Sequence, residues 1–230
     1  MRNNEAVKKI GWILTQMHLE AVKRDAVVFR AEKTSRDSPF KILVFTLLSA
    51  RTRDENTMNV VSRLFQQAKT PTAVLDLGQK KLEKLLYGVG FYRVKSKNLL
   101  RTCKILVQKG YIPDTLDELL ELPGVGRKTA NIVLARAFGK LTLGVDVHVH
   151  RISNRLGIVK TKKPEETENI LVSVVPEVQY LRNLNRDFVA FGQTICLPKK
   201  PMCSVCPINK LCYRVGVQES CKQCKYGVKI

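Results

Sequence analysis

The sequence has no apolar run long enough to cross a lipid bilayer. The longest such run, 42–48, spans seven residues and includes Thr46, whereas a transmembrane helix needs about 20. A signal peptide is not visible either, because Met1 leads into an amphipathic segment rather than an uninterrupted apolar one. We therefore expect an intracellular protein without a membrane partner, cytoplasmic and nucleoid-associated if its source is prokaryotic.

Acidic residues are also few. The 230 residues include 20 Asp and Glu against 40 Lys and Arg, which gives a net charge of +20 with neutral His. The cations are spread along the chain and form no basic low-complexity tail. This distribution predicts a folded basic face that follows a polyanion such as nucleic acid, rather than a disordered basic arm.

Strand signals are scarce, and the predicted fold class is all-α. Apolar residues recur at helical spacing along most of the chain, and prolines stand where several helices are expected to begin. Asp54 is expected to cap its helix, and Trp12 to pack against the core. The predicted helices are 5–22, 40–49, 54–68, a short one from 71, 80–87, 93–109, 115–121, 127–138, 146–156, 164–175 and 181–195.

The stretch 119–138, LLELPGVGRKTANIVLARAF, has the helix-hairpin-helix pattern. Gly124 and Gly126 allow a tight turn whose backbone N–H groups point outward. The helix that follows, with Arg127 at its mouth, adds unpaired N–H groups and the positive end of its dipole. Together these groups form a socket for a phosphate oxygen. By itself, the motif indicates a non-specific grip on the DNA backbone.

Lys128 stands at the N-terminal end of the second hairpin helix. The helix dipole and the neighbouring Arg127 both disfavour a further positive charge there. Lys128 is therefore a candidate nucleophile that forms a Schiff base. The alternative is a lysine that only binds phosphate, and the hairpin alone favours that alternative.

Asp146 follows 18 residues later, in GVDVHVHR. An Asp before a helix is most often an N-cap. A carboxylate opposite a lysine nucleophile is also what cleavage of an N-glycosidic bond needs, because departure of the base leaves positive charge on the sugar. Capping and catalysis are compatible. His148 and His150, two positions apart on a helix, are expected to point away from each other and not to share a metal, and His148 is expected to orient the Asp146 loop.

Seven cysteines in an intracellular protein suggest metal or redox chemistry rather than disulfides. Four of them have the spacing C-x6-C-x2-C-x5-C, namely Cys196, Cys203, Cys206 and Cys212. Structural zinc is one interpretation, although zinc sites usually pair two short knuckles and this set has one. A competing, ribbon-like zinc set would join the middle two cysteines to Cys221 and Cys224 and leave out the outer two.

The sequence resembles the endonuclease III family of DNA repair glycosylases, from about residue 38 to residue 212. Three motifs carry the resemblance. LPGVGRKTAN is similar to the family hairpin with its lysine, VDVHVHRISNRLG is similar to the family's aspartate loop, and the four-cysteine spacing is that of the family's [4Fe–4S] cluster. The resemblance thus favours iron–sulfur over zinc at the four cysteines.

The resemblance implies a two-lobed helix-hairpin-helix DNA glycosylase fold. One lobe would be a six-helix barrel at 32–142, and the other a discontinuous iron–sulfur cluster domain formed by 1–31 and 143–230. The implied activity is that of a bifunctional DNA glycosylase and AP lyase of base excision repair. Lys128 would attack C1′ of the sugar and expel an oxidised pyrimidine, Asp146 would be the essential carboxylate, and β-elimination through the Schiff base would cleave the strand 3′ of the site.

The implied partner is double-stranded DNA with a damaged base or an abasic site, bound by a monomer. The family usually has Gln in LSAQT, inserted where the flipped base was, and this chain has Arg51 there; an Arg prefers guanine acceptors on the opposite base. Phe91 occupies the family's wedge turn, where Leu is common, and is expected to intercalate. Lys199 and Lys200, between the first two cluster cysteines, are expected to meet the DNA backbone.

Two other functions remain open from the sequence. The chain could be a non-catalytic helix-hairpin-helix protein in which Lys128 only grips phosphate. It could also keep the fold and act on a different lesion, of the mismatch or uracil type. Relatives that excise mismatched bases generally lack the hairpin lysine, and those that excise oxidised guanine lack the cluster. Lys128 and the four cysteines therefore favour the oxidised-pyrimidine prediction.

Overall fold

A computed structural model describes residues 4–33, 38–175 and 178–217. Regular structure in these ranges is helical, and no strand forms there, which confirms the predicted all-α class. Short 3-10 turns lie at Cys203–Val205 and Asn209–Leu211. The α-helices are α1 (Asn4–Lys23), α2 (Val27–Lys33), α3 (Pro39–Ser49), α4 (Asp54–Gln67), α5 (Pro71–Leu86), α6 (Tyr92–Lys109), α7 (Leu116–Leu120), α8 (Arg127–Phe138), α9 (Val147–Leu156), α10 (Pro164–Val174) and α11 (Val178–Thr194).

Side-chain caps begin four of the helices, at Ser38, Thr70, Thr115 and Asp146. The Ser38 side chain accepts a hydrogen bond from the backbone N–H of Lys41, ahead of the proline that opens α3. The cap predicted for Asp54 is wrong. Arg53 occupies the N-cap without a side-chain bond, and Asp54 is the first helical residue, where its charge still suits the helix dipole.

Two further features of the helices refine the sequence-based prediction. Gly78, with φ +67°, interrupts α5, so its two helical segments correspond to the helices predicted from 71 and from 80. Trp12 is 47% exposed, which contradicts its predicted place in the core. The buried stripe of α1 is formed by its neighbours Ile13, Leu14 and Met17, and a helix turns the Trp12 side chain away from that stripe.

The described residues form two compact units, each with its own apolar core. One unit is Arg30–Lys140, with a core drawn mainly from α3, α4, α5, α6 and α8. The other combines the described residues up to Phe29 with those from Leu141 onward, and its core joins α1, α9 and α11. The barrel and cluster-domain assignments at 32–142 and at 1–31 with 143–230 stay predictions. None of the helices in the described ranges is long and apolar enough to cross a membrane.

Candidate active site and DNA-contact surfaces

The predicted hairpin turn lies between α7 and α8. Gly124 has φ +82°, and a Cβ at this position would stand 2.8 Å from Nδ2 of Asn98 on α6, so both the backbone and the close approach favour glycine. Gly126 is the N-cap of α8 and supplies no side-chain acceptor. A Cβ at Gly126 would meet nothing within 4 Å. The backbone at the start of α8 is therefore not covered by a side chain at Gly126, and a phosphate could approach its N–H groups.

Lys128 lies in the first turn of α8, and its side chain is exposed, as is that of Arg127. The residues that follow, 129–135, are all buried, and α8 packs against α3 in the core of its unit. The backbone that carries Lys128 is thus fixed by packing, while its side chain is exposed.

Asp146 is the N-cap of α9, as predicted. Its Oδ1 accepts hydrogen bonds from the backbone N–H groups of His148 (2.9 Å) and Val149 (3.0 Å). The residue is half-buried. Two N–H donors therefore fix the orientation of this carboxylate.

The loop at Asp146 is joined to α11 by a tight contact. His148 Nδ1 lies 3.2 Å from Nη2 of Arg151. The same Arg151 Nη2 donates to the Cys196 carbonyl at 2.9 Å. A Cβ on Gly192 would stand 2.3 Å from the His148 ring, so only glycine fits there. His150 instead has its Nδ1 2.7 Å from Oγ1 of Thr167. The two histidines thus have different partners, as their spacing predicted.

Arg51 and Phe91, which the sequence singled out separately, lie side by side. The guanidinium carbon of Arg51 is 5.9 Å from the centroid of the Phe91 ring, within the range of a cation–π contact. Both side chains are exposed, Phe91 by 62%. Both residues have left-handed backbone, with φ +53° and +57°. Non-glycine residues seldom adopt this conformation, and it concentrates at functional sites.

Lys95 is a residue that the sequence-based argument missed. Only 8% of it is exposed, and its ammonium contacts the turn that carries Arg51. Burial lowers the pKa of Lys95 to about 8. A signal was available, because Lys95 stands in the register of the buried positions Leu99, Thr102 and Leu106 of α6. A lysine in an apolar stripe needs a specific partner.

The four cysteines of the predicted cluster line one cavity in the second unit, which we call the cysteine cavity. It encloses about 410 Å³ of space without protein atoms, part of it open to solvent. Burial raises the pKa of the Cys206 thiol to about 12 and that of Cys212 to about 11, so these groups exchange a proton for a metal when they become ligands. The apolar walls of the cysteine cavity include Ile152, Leu156, Phe191, Ile195 and Ile208.

The geometry of the thiols bears on the kind of metal group. In the described part of the chain, no three His, Cys, Asp or Glu side chains converge closely enough to hold one metal ion. A [4Fe–4S] cluster is held by four cysteine thiolates, and the cysteine cavity is lined by four cysteines. Cys221 and Cys224, the other half of the competing zinc set, lie outside the described residues.

Arg155, on α9, is a second residue that the sequence-based argument missed. Its Nη1 donates to the Cys196 sulfur at 3.3 Å and to the Leu197 carbonyl at 2.8 Å, and its Nη2 donates to the Pro198 carbonyl at 2.6 Å. It therefore fixes the loop that leads to the exposed Lys199 and Lys200. Its separation of 41 residues from Cys196 leaves no local sequence signal.

Comparison with known proteins identifies the class first. Residues 44–177 match the family described as HhH-GPD superfamily base excision DNA repair protein, in agreement with the hairpin between α7 and α8. Endonuclease III of Thermotoga maritima is 44% identical over 196 residues, which cover 84% of this chain and 92% of that protein. Endonuclease III of Escherichia coli K12 is 37% identical over 177 residues, which cover 76% and 83%.

Solved structures agree with these relatives. A trapped covalent intermediate of an endonuclease III with DNA superposes with a TM-score of 0.71 at 31% identity, over 84% of this chain and 96% of that one. The chain belongs to the endonuclease III family. It is a DNA glycosylase and AP lyase of base excision repair, and the family, fold and enzyme class predicted from its motifs are confirmed.

Proposed function

We propose that the chain removes oxidised pyrimidines from double-stranded DNA and cleaves the abasic strand 3′ of the site, with Lys128 as nucleophile and Asp146 as catalytic carboxylate. The position of Lys128 is the observation that carries this proposal. Its side chain is exposed in the first turn of a helix whose following residues are buried. The similar endonuclease III that was captured as a covalent intermediate with DNA supports a nucleophilic side chain.

In the proposed reaction, the Lys128 amine attacks C1′ of the damaged nucleotide, and the bond from C1′ to the base breaks. Positive charge develops on the sugar as the base leaves, and the carboxylate of Asp146 stabilises it. Asp146 also accepts a proton from the attacking amine. The C1′–O4′ bond then breaks and O4′ takes up a proton, so that the sugar ring opens and a Schiff base forms between Lys128 and C1′. This Schiff base acidifies the proton at C2′, and loss of that proton expels the 3′ phosphate.

The DNA contacts divide by chemistry. The hairpin glycines, Gly124 and Gly126, present N–H groups to a backbone phosphate, and Arg127 adds a cation beside them. Arg51 and Phe91 enter the duplex together. The Phe91 ring intercalates, and the Arg51 guanidinium donates to the acceptors of the opposite base, with guanine favoured.

Borohydride trapping tests the lyase proposal directly. The protein is incubated with a duplex that contains one abasic site, and sodium borohydride should convert the Schiff base into a stable covalent complex. A panel of duplexes with single lesions, each opposite every base, then tests the substrate. Absence of a covalent complex would contradict the lyase role. Excision confined to mismatched or uracil-containing duplexes would show that oxidised pyrimidines are not the substrate.

We also propose that Cys196, Cys203, Cys206 and Cys212 hold a [4Fe–4S] cluster. The shared cavity, the soft donor set and the Arg155 contact to Cys196 support this assignment. When bound, the cluster supplies a rigid cross-link rather than a reactive group. Arg155 holds the neighbouring loop, so that Lys199 and Lys200 are presented to the DNA backbone.

Metal content tests this assignment. Protein purified without oxygen should be brown, absorb broadly in the visible range and contain about four iron atoms per chain. Replacing Cys212 with Ser should lower the iron content, whereas the same change at the buried Cys103, outside the set, should leave it unchanged. Stoichiometric zinc without iron, in samples purified both with and without oxygen, would contradict a cluster.

Salt dependence tests the proposed role of Lys199 and Lys200. Replacing both with Gln should reduce the slope of log affinity against log salt concentration by up to about 1.8, because each phosphate contact contributes about 0.9. The matched control replaces Lys80 and Lys81 with Gln; these residues are also exposed and the net charge changes equally. An equal change of slope in the two variants would show that Lys199 and Lys200 make no particular contact.

A further inference from the structure

The turns that carry Arg51 and Phe91 are held against each other by one buried cation. We call 48–52 the arginine turn and 87–91 the aromatic turn. Lys95, one turn into α6, donates from Nζ to the Leu48 carbonyl at 2.7 Å, to the Ala50 carbonyl at 2.6 Å and to Thr52 Oγ1 at 2.9 Å. All three donor positions of the ammonium are thereby used.

The aromatic turn is joined to the same centre. The backbone N–H of Gly90 donates to Thr52 Oγ1 at 3.0 Å, so this hydroxyl receives bonds from both Gly90 and Lys95. A Cβ on Gly90 would stand 2.7 Å from the Arg51 carbonyl oxygen. The close approach of the two turns therefore depends on a glycine in one turn and a hydroxyl in the other.

The charge of Lys95 suits its position. Leu48 and Ala50 lie at the C-terminal end of α3, where carbonyl groups lack helical partners and the helix dipole is negative. An ammonium supplies both hydrogen bonds and charge there. The three acceptors that the structure gives for Lys95 are uncharged. Lys95 therefore stabilises the conformation of the turns and does not form an ion pair in these three contacts.

Arg51 and Phe91 need such support. Both have left-handed backbone conformations that non-glycine residues rarely adopt, and both side chains are exposed. Strained backbone persists only where surrounding contacts determine it. Neither side chain has a packed environment of its own, so the contacts beneath the two turns must hold them in this conformation.

We propose that Lys95 is a positioning residue for lesion extrusion, which holds Arg51 and Phe91 together in the conformation that enters the DNA. This inference rests on the proposed DNA contacts of those two residues. Lys95 does not touch the substrate in this role. It acts through the arginine turn and the aromatic turn, and its loss should therefore affect opening of the duplex before it affects chemistry at C1′.

A double-mutant cycle tests the inference. The duplex carries one thymine glycol opposite 2-aminopurine, and the fast rise of fluorescence in stopped flow reports on opening of the pair. Lys95→Met should reduce this rise and slow excision by about 10- to 100-fold. Borohydride trapping at a preformed abasic site, where no base remains to be extruded, should fall by less than about 3-fold. A general loss of structure would lower both reactions alike.

The same cycle includes the combined variant Arg51→Ala/Phe91→Ala and the triple variant with Lys95→Met. If Lys95 acts through those side chains, the triple variant should match the combined variant. Lys104→Met, an exposed lysine farther along α6, is the control for loss of one positive charge. Thr52→Val, which removes the shared acceptor, should change the fluorescence in the same direction as Lys95→Met and serves if the latter does not fold.

The outcomes separate the inference from its premise. If the combined variant opens the duplex like the wild type, the proposed contacts of Arg51 and Phe91 are wrong. If the combined variant fails to open it while Lys95→Met and Thr52→Val open it normally, the positioning role is overturned. An effect of Lys95→Met that adds fully to that of the combined variant would overturn it as well.

Discussion

Replacing Lys128 with Gln should eliminate the borohydride-trapped complex with abasic DNA and slow base excision by at least about 10³-fold, as loss of a covalent nucleophile does in other enzymes. Gln has a similar length but no basic amine, so no Schiff base can form. Gel electrophoresis after borohydride treatment measures the complex, and single-turnover kinetics measure excision. The loss should be far larger than any loss of binding.

Two measurements keep this prediction specific. Lys104→Gln changes an exposed lysine of α6 outside the proposed site, and it should trap DNA like the wild type. The Lys128 variant should still bind an abasic duplex, with a salt slope reduced by no more than about 1, the value expected for one phosphate contact. Undiminished trapping by the Lys128 variant would show that a different amine reacts and that Lys128 is a phosphate ligand.

Replacing Asp146 with Asn should slow excision by about 10²- to 10⁴-fold without destabilising α9. Asn is as good an N-cap as Asp, and its side-chain oxygen can accept from the N–H groups of His148 and Val149 as Oδ1 does. What disappears is the negative charge that stabilises the sugar and the base that takes a proton. Single-turnover excision kinetics and thermal unfolding measure the two effects separately.

The Asp146→Ala variant separates the capping role of Asp146 from its catalytic role. Ala removes the cap as well as the charge and should lower the free energy of unfolding by about 1 kcal/mol, in addition to the loss of excision. The yield of borohydride-trapped complex at preformed abasic sites should fall less than the excision rate in both variants, because no glycosidic bond has to break there. If Asn at this position excises at nearly the wild-type rate, Asp146 is only a helix cap.

The features that the sequence predicted well depend on residues close together in the chain. Ser38 ahead of Pro39 marks the start of α3, and Asp146 caps the helix directly after it. Gly124 permits the hairpin turn by its positive φ and its lack of a side chain beside Asn98. Local chemistry of this kind needs no knowledge of the rest of the fold, because the bonds involved span only a few residues.

The features that were missed depend on partners far along the chain. Lys95 bonds to residues 43 to 47 positions away, and Arg155 bonds to the cysteine loop 41 to 43 positions away. The prediction for Trp12 is wrong because apolar character alone does not say which face of α1 is covered. Composition and periodicity identify a buried face, but they do not identify the particular acceptor that a buried cation will find.

The joining of α1 to α11 in one unit has a consequence for biosynthesis. Ile13 and Met17 are synthesised well before Phe188 and Phe191, yet these four side chains belong to one core. Arg30–Lys140 is continuous and can fold during translation, whereas α1 must wait with its apolar stripe uncovered. A nascent chain that stalls before α11 therefore displays that stripe to chaperones and proteases.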